Sequence, residues 1–355
     1  MQFDWTTLGV KAPTALVKAR NVAHHAAQWP TKAARANLEA KTDDSHSAYT
    51  WDADRGLLFS QPMPGRDAEV RVGLRLSGLA LVLMRGKLVL DTYELAGRRD
   101  SMVGVWLDSA LRALGVKPTT DVELPYTIPS HPVARGSAYS FSGESESFEE
   151  LVRWFSAGAE LLEEVKSFGG HGASDVLCWP HHFDLGIVIA LDPPGAEKQR
   201  SIGVGLSPGD HYYPQPYFYV NPYPAQKGAA PQTPLPLGHW HTDGFTGAVA
   251  LGESIVRSED GRGDVRQFLR AAFDACCAHL GYVAAEQQQP QQEQQAAEDQ
   301  LIAEEQHAAA ERESTEEPTV AEEQHAAAEQ ESMEESSPAD EQQAAGDQQS
   351  TEEQR

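Results

Sequence analysis

The chain has 355 residues and a net charge of −25 at pH 7, and that charge is unevenly spread. Residues 286–355 hold 21 acidic and two basic side chains, leaving residues 1–285 with 32 acidic and 26 basic ones, a balance of only −6. Nucleic acid is excluded as a partner because no cluster of lysine and arginine exists to displace phosphate counterions. A membrane is excluded because the longest apolar runs, 79–84 and 187–191, are far too short to span a bilayer.

The segment Met1, Gln2, Phe3, Asp4, Trp5 has neither the basic nor the apolar region of a secretory signal. Cys178, Cys276 and Cys277 have no paired spacing, so a disulfide framework is not expected. These features point to a soluble, cytoplasmic protein.

Residues 13–43 are rich in helix formers, and the Trp29-Pro30 pair predicts a break into two short helices. Five β-like runs follow at 48–51, 56–60, 69–76, 79–84 and 87–92. Val70, Val72, Leu74 and Leu76 alternate along one apolar side, and Arg85-Gly86 supplies a hairpin turn. Asp100 is placed to cap a helix whose apolar positions Val103, Trp106, Leu107, Ala110, Leu111 and Leu114 have helical spacing, with Gly115 as its stop. Ser147 and Glu150 read as a capping box ahead of the stripe Phe148, Leu151, Val152, Phe155, Leu162 and Val165. A second β-rich stretch covers 176–179, 183–191, 201–206, 217–220 and 246–251. The last helix starts near Asp264 and buries Val265, Phe268, Leu269, Ala272, Phe273, Cys276 and Leu280, which makes Cys276 a small core residue rather than a reactive thiol.

Runs of strands closed by one covering helix favour an α+β fold over alternating βαβ units. The expectation is one domain over residues 1–285, built of two similar sheet-plus-helix halves at about 44–145 and 170–285.

Three pieces of the second half concentrate polar and aromatic side chains. The first carries Trp179, His181, His182 and Asp184, the second His211, Tyr217 and Tyr219, and the third His239, Trp240, His241 and Asp243. Six of the 13 histidines fall here, counting His171. An extended backbone at 239–241 turns both imidazoles to one face, where His239 and His241 could share a divalent metal with one of His181 or His182, completed by Asp184 or Asp243. The plainer reading is a hydrogen-bonded pair, since no single spacing is diagnostic of a metal. Tyr217, Phe218 and Tyr219 are good β formers in their own right, and Pro214, Pro216, Pro222 and Pro224 confine this piece to an edge strand or extended loop. No H-E-x-x-H, G-x-x-x-x-G-K-[ST] or C-x-x-C signature occurs, and Gly203-Val204-Gly205 lacks the third glycine and following helix of a dinucleotide fingerprint.

Trp179-x-x-x-Phe183-Asp184-Leu185, the Ser207-Pro208-Gly209 turn, the Tyr217-Phe218-Tyr219 strand with Pro222 and Pro224, and the Leu111-x-x-Leu114-Gly115-Val116 helix end resemble a large bacterial family that shares a domain of unknown function. The order of elements matches over about residues 48–282. The resemblance implies a single-domain fold and no particular activity. In that family small residues such as glycine and serine can stand where this chain has His181 or His182, which weighs against a metal there.

The leading expectation is thus a His- and aromatic-lined cleft that binds or acts on a small polar ligand, anchored by Asp184 and Asp243. The alternatives are a metal-dependent hydrolase using His239 and His241, and a non-catalytic interaction protein whose acidic tail docks a basic partner. That tail repeats itself at 303–317 and 321–335, an 18-residue period equal to five helical turns. Leu301, Ile302, Val320 and Met333 are almost its only large apolar side chains, too few for a packed seam, so the tail is expected to stay disordered. A chain ending at Ala285 is therefore expected to melt within a few degrees of the whole protein; a larger drop would show that the extension contributes to the fold.

Overall fold

Each strand here separates its side chains by a period of two, and the separation decides which residues build the core and which face outward. The computed structural model describes residues 3–225, 230–231 and 233–282, with Gln300, Ile302 and Gln306 beyond them. The chain divides into two units, Met1–Ala285 and Glu286–Arg355. In the second unit those three residues are helical, while the prolines, the repeated histidines and most of the repeat lie outside the described residues.

The first unit opens with helix α1 (Val17–Asn37) and then runs through strands β1 (Thr50–Asp52), β2 (Leu57–Phe59), β3 (Val70–Arg75), β4 (Ala80–Arg85) and β5 (Leu88–Glu94). Helices α2 (Asp100–Ala113) and α3 (Ser145–Val165) follow. Next come β6 (Gly172–Ala173), β7 (Leu177–Trp179), β8 (Asp184–Ala190), β9 (Ser201–Ser207), β10 (Tyr217–Tyr223), β11 (His239–His241) and β12 (Gly247–Leu251), and then α4 (Gly252–Arg257) and α5 (Gly261–His279). The fold is α+β, with two antiparallel sheets. The first is a meander in the order β1-β2-β3-β4-β5, and the second runs β11-β12-β10-β9-β8-β6 with β7 also paired to β8.

The two sheets meet where Tyr49, just before β1, exchanges backbone hydrogen bonds of 2.9 and 2.8 Å with Cys178 of β7. Leu58, Leu74 and Leu81 of the first sheet and Leu185, Ile187, Val204, Leu206, Phe218 and Val220 of the second belong to one buried core. Helix α3 packs on β8 and β9, α5 on β9, β10 and β12, and α1 on β3 and α3. The Cys276 side chain sits in this core as the helical stripe requires.

Four local expectations need correction. The prolines do not confine residues 217–223 to an edge: β10 pairs with both β9 and β12, because Pro214 and Pro216 precede the strand and Pro222 lies past its last pairing with β12, Val220↔Ala248. Residues 17–37 form one helix despite Pro30, because Ala19, Ala23, Ala26, Ala27, Ala33 and Ala34 are fully buried on both sides of it and packing outweighs one lost backbone bond. Ser147 is not a cap. Helix α3 already begins at Ser145, and the buried Glu150 carboxylate instead accepts from Gly9 N (2.6 Å) and Lys11 N (3.3 Å) and pairs with Arg153. Asp100 does not cap α2 either; its carboxylate takes His25 Nε2 at 2.8 Å and the Tyr139 hydroxyl at 2.9 Å.

Phe155 and Phe268 are fully buried on α3 and α5. Truncating either to alanine is expected to lower the unfolding free energy by about 3–5 kcal/mol, from lost burial and the cavity left behind. Urea denaturation checks this, and a loss under about 1 kcal/mol would show that the site collapses freely.

Candidate functional site

The second sheet has one apolar face and one polar face. Leu185, Ile187, Val204, Leu206, Phe218 and Val220 point to the helices, so Asp184, Gly186, Gly205, Ser207, Tyr217 and Tyr219 share the opposite face. The pairings His239↔Val249 and His241↔Gly247, with Val249 opposite Tyr219, put both imidazoles on that same face. Trp179 joins them through its pairing with Asp184. Trp240 does not. It turns to the other side, packs on the core and donates its indole N–H to Thr233 O at 2.8 Å, so its place among ligand-facing residues is corrected.

Glycine makes room on this face. A side chain at Gly205 would collide with the Tyr219 hydroxyl, and one at Gly186 would come within 3.1 Å of it. Tyr219 therefore lies across both strands and donates to Asp184 Oδ2 at 2.5 Å. Asp184 is 7 % exposed, and its Oδ1 has no partner among the described residues. Burial pushes this carboxyl above the usual carboxylate range, against the pull of the His182 imidazole and the Tyr219 hydroxyl. The chain enters β8 through Phe183 with φ of 59°, a left-handed conformation that a bulky residue adopts only under constraint. Phe183 N–H closes the turn on Trp179 O at 2.7 Å, and its ring stacks on His24 at 5.2 Å.

Asp210, in the loop between β9 and β10, joins this part of the face to the edge. Its Oδ1 accepts from Tyr212 N (2.8 Å) and Tyr213 N (3.1 Å), and its Oδ2 from the Tyr217 hydroxyl at 2.6 Å. Tyr213 then reaches His239 Nε2 at 2.9 Å and His241 Nδ1 at 2.8 Å. Hydrogen-bond direction follows from chemistry. His241 Nε2 lies 2.5 Å from the Asp243 carbonyl, which only accepts, so Nε2 carries the hydrogen. In the neutral ring Nδ1 then accepts the Tyr213 O–H, and Tyr213 Oη takes the Nε2–H of His239. Burial and the neighbouring His241 hold the His239 imidazole below its ordinary value, which favours this neutral arrangement.

A metal shared by His239 and His241 needs a lone pair from each and a third side chain. The Nδ1 lone pair of His241 is committed to Tyr213, and among the described residues no group of three His, Cys, Asp or Glu side chains comes together. The shared-metal arrangement is thus replaced by a hydroxyl-bridged pair. Asp243 meets His241 through its backbone carbonyl, not its carboxylate, and His211 stands exposed against Tyr212 with ring centroids 3.9 Å apart. His181 contacts His182, at 4.3 Å between centroids, and Tyr126, at 5.7 Å. Burial and His182 push its imidazole down to about 4.

Two residues of the site come from α1, outside the pieces singled out above. Arg20 is 8 % exposed and lies so close to the β9–β10 loop that a methyl on Gly209 would fall 2.6 Å from its Nη1. Burial works against its charge, while Asp210 and Tyr217 support it. His24 bonds the Pro180 carbonyl at 2.9 Å, and Gln28 reaches the same carbonyl at 3.0 Å. A signal was present in the sequence: Arg20, His24, Gln28 and Thr31 fall on one helical face at intervals of four, four and three, and all four are buried.

No family model matches this chain, and neither a curated protein nor a solved structure is similar to it.

The imidazole of His24, pushed from 6.5 to about 4 chiefly by burial, makes stability depend on pH. The unfolded chain takes up a proton near pH 6.5 that the fold rejects until about 4, so stability is full above 6.5 and is lost as pH falls towards 4. His24 accounts for about 3 kcal/mol of that loss. Asp184 acts oppositely, because the fold keeps a proton that the unfolded chain releases above about pH 4, so its contribution weakens as pH rises. Urea midpoints measured from pH 7 to about pH 4.5 should fall less steeply in His24→Gln than in the unaltered protein. Equal slopes would mean that His24 is protonated within the fold.

Proposed function

We propose that the open face of the second sheet is a cleft that binds a small polar ligand, with Arg20, Asp184 and Asp210 as its polar centre and Tyr213, Tyr217 and Tyr219 as its walls. One observation carries this reading. The network around Asp210 is otherwise well satisfied, yet Arg20 Nη1 and Asp184 Oδ1, both buried, have no partner among the described residues. An unmade hydrogen bond on a buried polar atom costs about 1–3 kcal/mol, and more on a charged one, and a bound ligand that supplies both partners recovers that cost. Both groups interact electrostatically with Asp210, which supports one shared location rather than two isolated defects.

The site also supports proton transfer. A carboxyl raised by burial is suited to act as a general acid, and burial raises Asp184 beside the exposed His182. The backbone strain at Phe183 lies next to this carboxyl, in keeping with the tendency of strain to gather where side chains must be aimed.

A thermal-shift screen of the full chain against small polar compounds tests the reading. A ligand at about 100 times its dissociation constant adds about 2.7 kcal/mol, enough to raise the melting temperature by several degrees. Compounds that do so are expected to lose the effect in Asp184→Ala and to show a reduced effect in Tyr219→Phe. Stabilisation that survives both changes would place the ligand elsewhere and overturn the proposal.

A further inference from the structure

Arg20, the one buried arginine among the described residues, differs from three half-buried arginines in how its charge is handled. Arg153, Arg200 and Arg262 each hold a carboxylate, at 2.7, 2.6 and 2.9 Å. Arg20 donates Nε and Nη2 to the neutral amide oxygen of Asn21 at 3.0 and 2.9 Å, and no carboxylate among the described residues lies within 4.0 Å of it. A guanidinium cannot shed its proton to escape burial. The charge therefore calls for an anion. Asp210 supports the charge only at a distance, since it makes no ion pair with Arg20 within 4.0 Å and its oxygens accept instead from Tyr212, Tyr213 and Tyr217.

The second buried group without a partner, Asp184 Oδ1, narrows the class. Tyr219 donates to Oδ2 and burial raises this carboxyl, so Oδ1, which has no partner among the described residues, is the oxygen free to carry a hydrogen. The cleft then offers two buried donors that lack acceptors, one cationic and one neutral. A neutral ligand would leave Arg20 without a carboxylate in direct contact. A phosphate dianion would bring two negative charges against one guanidinium beside Asp210. A single negative charge on a planar acceptor group fits both donors.

We infer that the ligand of this cleft bears one carboxylate, which accepts from Arg20 Nη1 and from the Asp184 carboxyl, an inference that rests on the reading of this face as a binding site. The remainder of the ligand lies against the rings of Tyr213 and Tyr217, which meet edge to face at 5.2 Å.

The test uses benzoate, its neutral isostere benzamide and inorganic phosphate, each titrated into the full chain and followed by amide resonances. Benzoate is expected to shift the Gly209 and Tyr219 amides and to bind about tenfold tighter than benzamide, the margin of a charge-assisted over a neutral hydrogen bond. Arg20→Met should erase the preference for benzoate. Arg20→Lys, which keeps the charge and is the safer variant for folding, should retain part of it. Benzamide bound at the same residues as tightly as benzoate, or phosphate displacing benzoate, would overturn the carboxylate while leaving the cleft in place. Benzoate binding that is unchanged in both Arg20 variants would overturn it equally. If none of the three probes shifts Gly209 or Tyr219, the carboxylate assignment fails, and the cleft then stands or falls on the thermal-shift screen alone.

Discussion

The carbonyl of Pro180 is the point on which the rest of the site depends. Helix α1 is buried along most of its length, so its polar side chains must find partners inside the protein. His24 and Gln28 both find that carbonyl, and Tyr126 in turn donates to Gln28 Oε1 at 2.8 Å. This fixes the turn between β7 and β8 against α1. The same turn carries His181 and His182, sets Phe183 in its strained conformation and delivers Asp184 to the first position of β8. The Tyr49 backbone, paired with Cys178 immediately before the turn, ties the first sheet to the same place. The Tyr49 side chain extends the link, since its hydroxyl bonds Thr31 and the Ala27 carbonyl of α1. The two sheets, the helix and the candidate site thus share one anchoring region.

That arrangement explains how Arg20 can remain buried without a paired carboxylate. Its backbone position is set by the α1 docking, one turn before His24 and beside the fully buried Ala19 and Ala23. The helix contributes packing stability well beyond what one desolvated guanidinium costs, so the unfavourable placement persists. Strain at Phe183 and desolvation at Asp184 are maintained in the same way by the same packing. These three local costs are carried by one scaffold, which supports the proposed binding site.

Much of the fold could be inferred from the residues because burial in this protein follows simple periods. The alternation of Val70, Val72 and Leu74 and the stripe of Val265, Phe268, Leu269 and Ala272 describe the buried faces of β3 and α5 as they stand. The departures have a common origin in tertiary packing. Pro30 predicts a break only if α1 is considered alone, and Ser147 and Asp100 fit the pattern of helix caps until a long-range partner claims the region. The candidate site was legible only in part. The residues of β8, β10 and β11 announced themselves by density and by the same-face rule for an extended chain, whereas Arg20 and His24 lie more than 150 residues before Asp184 and can reach it only through the topology. Their interval-of-four spacing with Gln28 marks a polar face on an otherwise alanine-rich helix, but nothing local reveals whether such a face meets solvent or the interior.

The strand Ser201–Ser207 shows most plainly how one segment serves both purposes. Ile202, Val204 and Leu206 lie in the core, where branched and large side chains stabilise by burial. Gly203, Gly205 and Ser207 point the other way, and a side chain at either glycine would strike Asn221 or Tyr219. Glycine weakens a strand interior, so two of them in alternate positions need a reason. No nucleotide-binding turn is present to provide one. At Gly205 the reason is the flat placement of Tyr219 across the sheet, without which its hydroxyl could not reach Asp184, and at Gly203 it is the side chain of Asn221. Because the two faces alternate residue by residue, the glycines that make room for Tyr219 and Asn221 take nothing from the packing of the core behind them. The core is built from one side of β9, and the residues of the proposed site lie on the other.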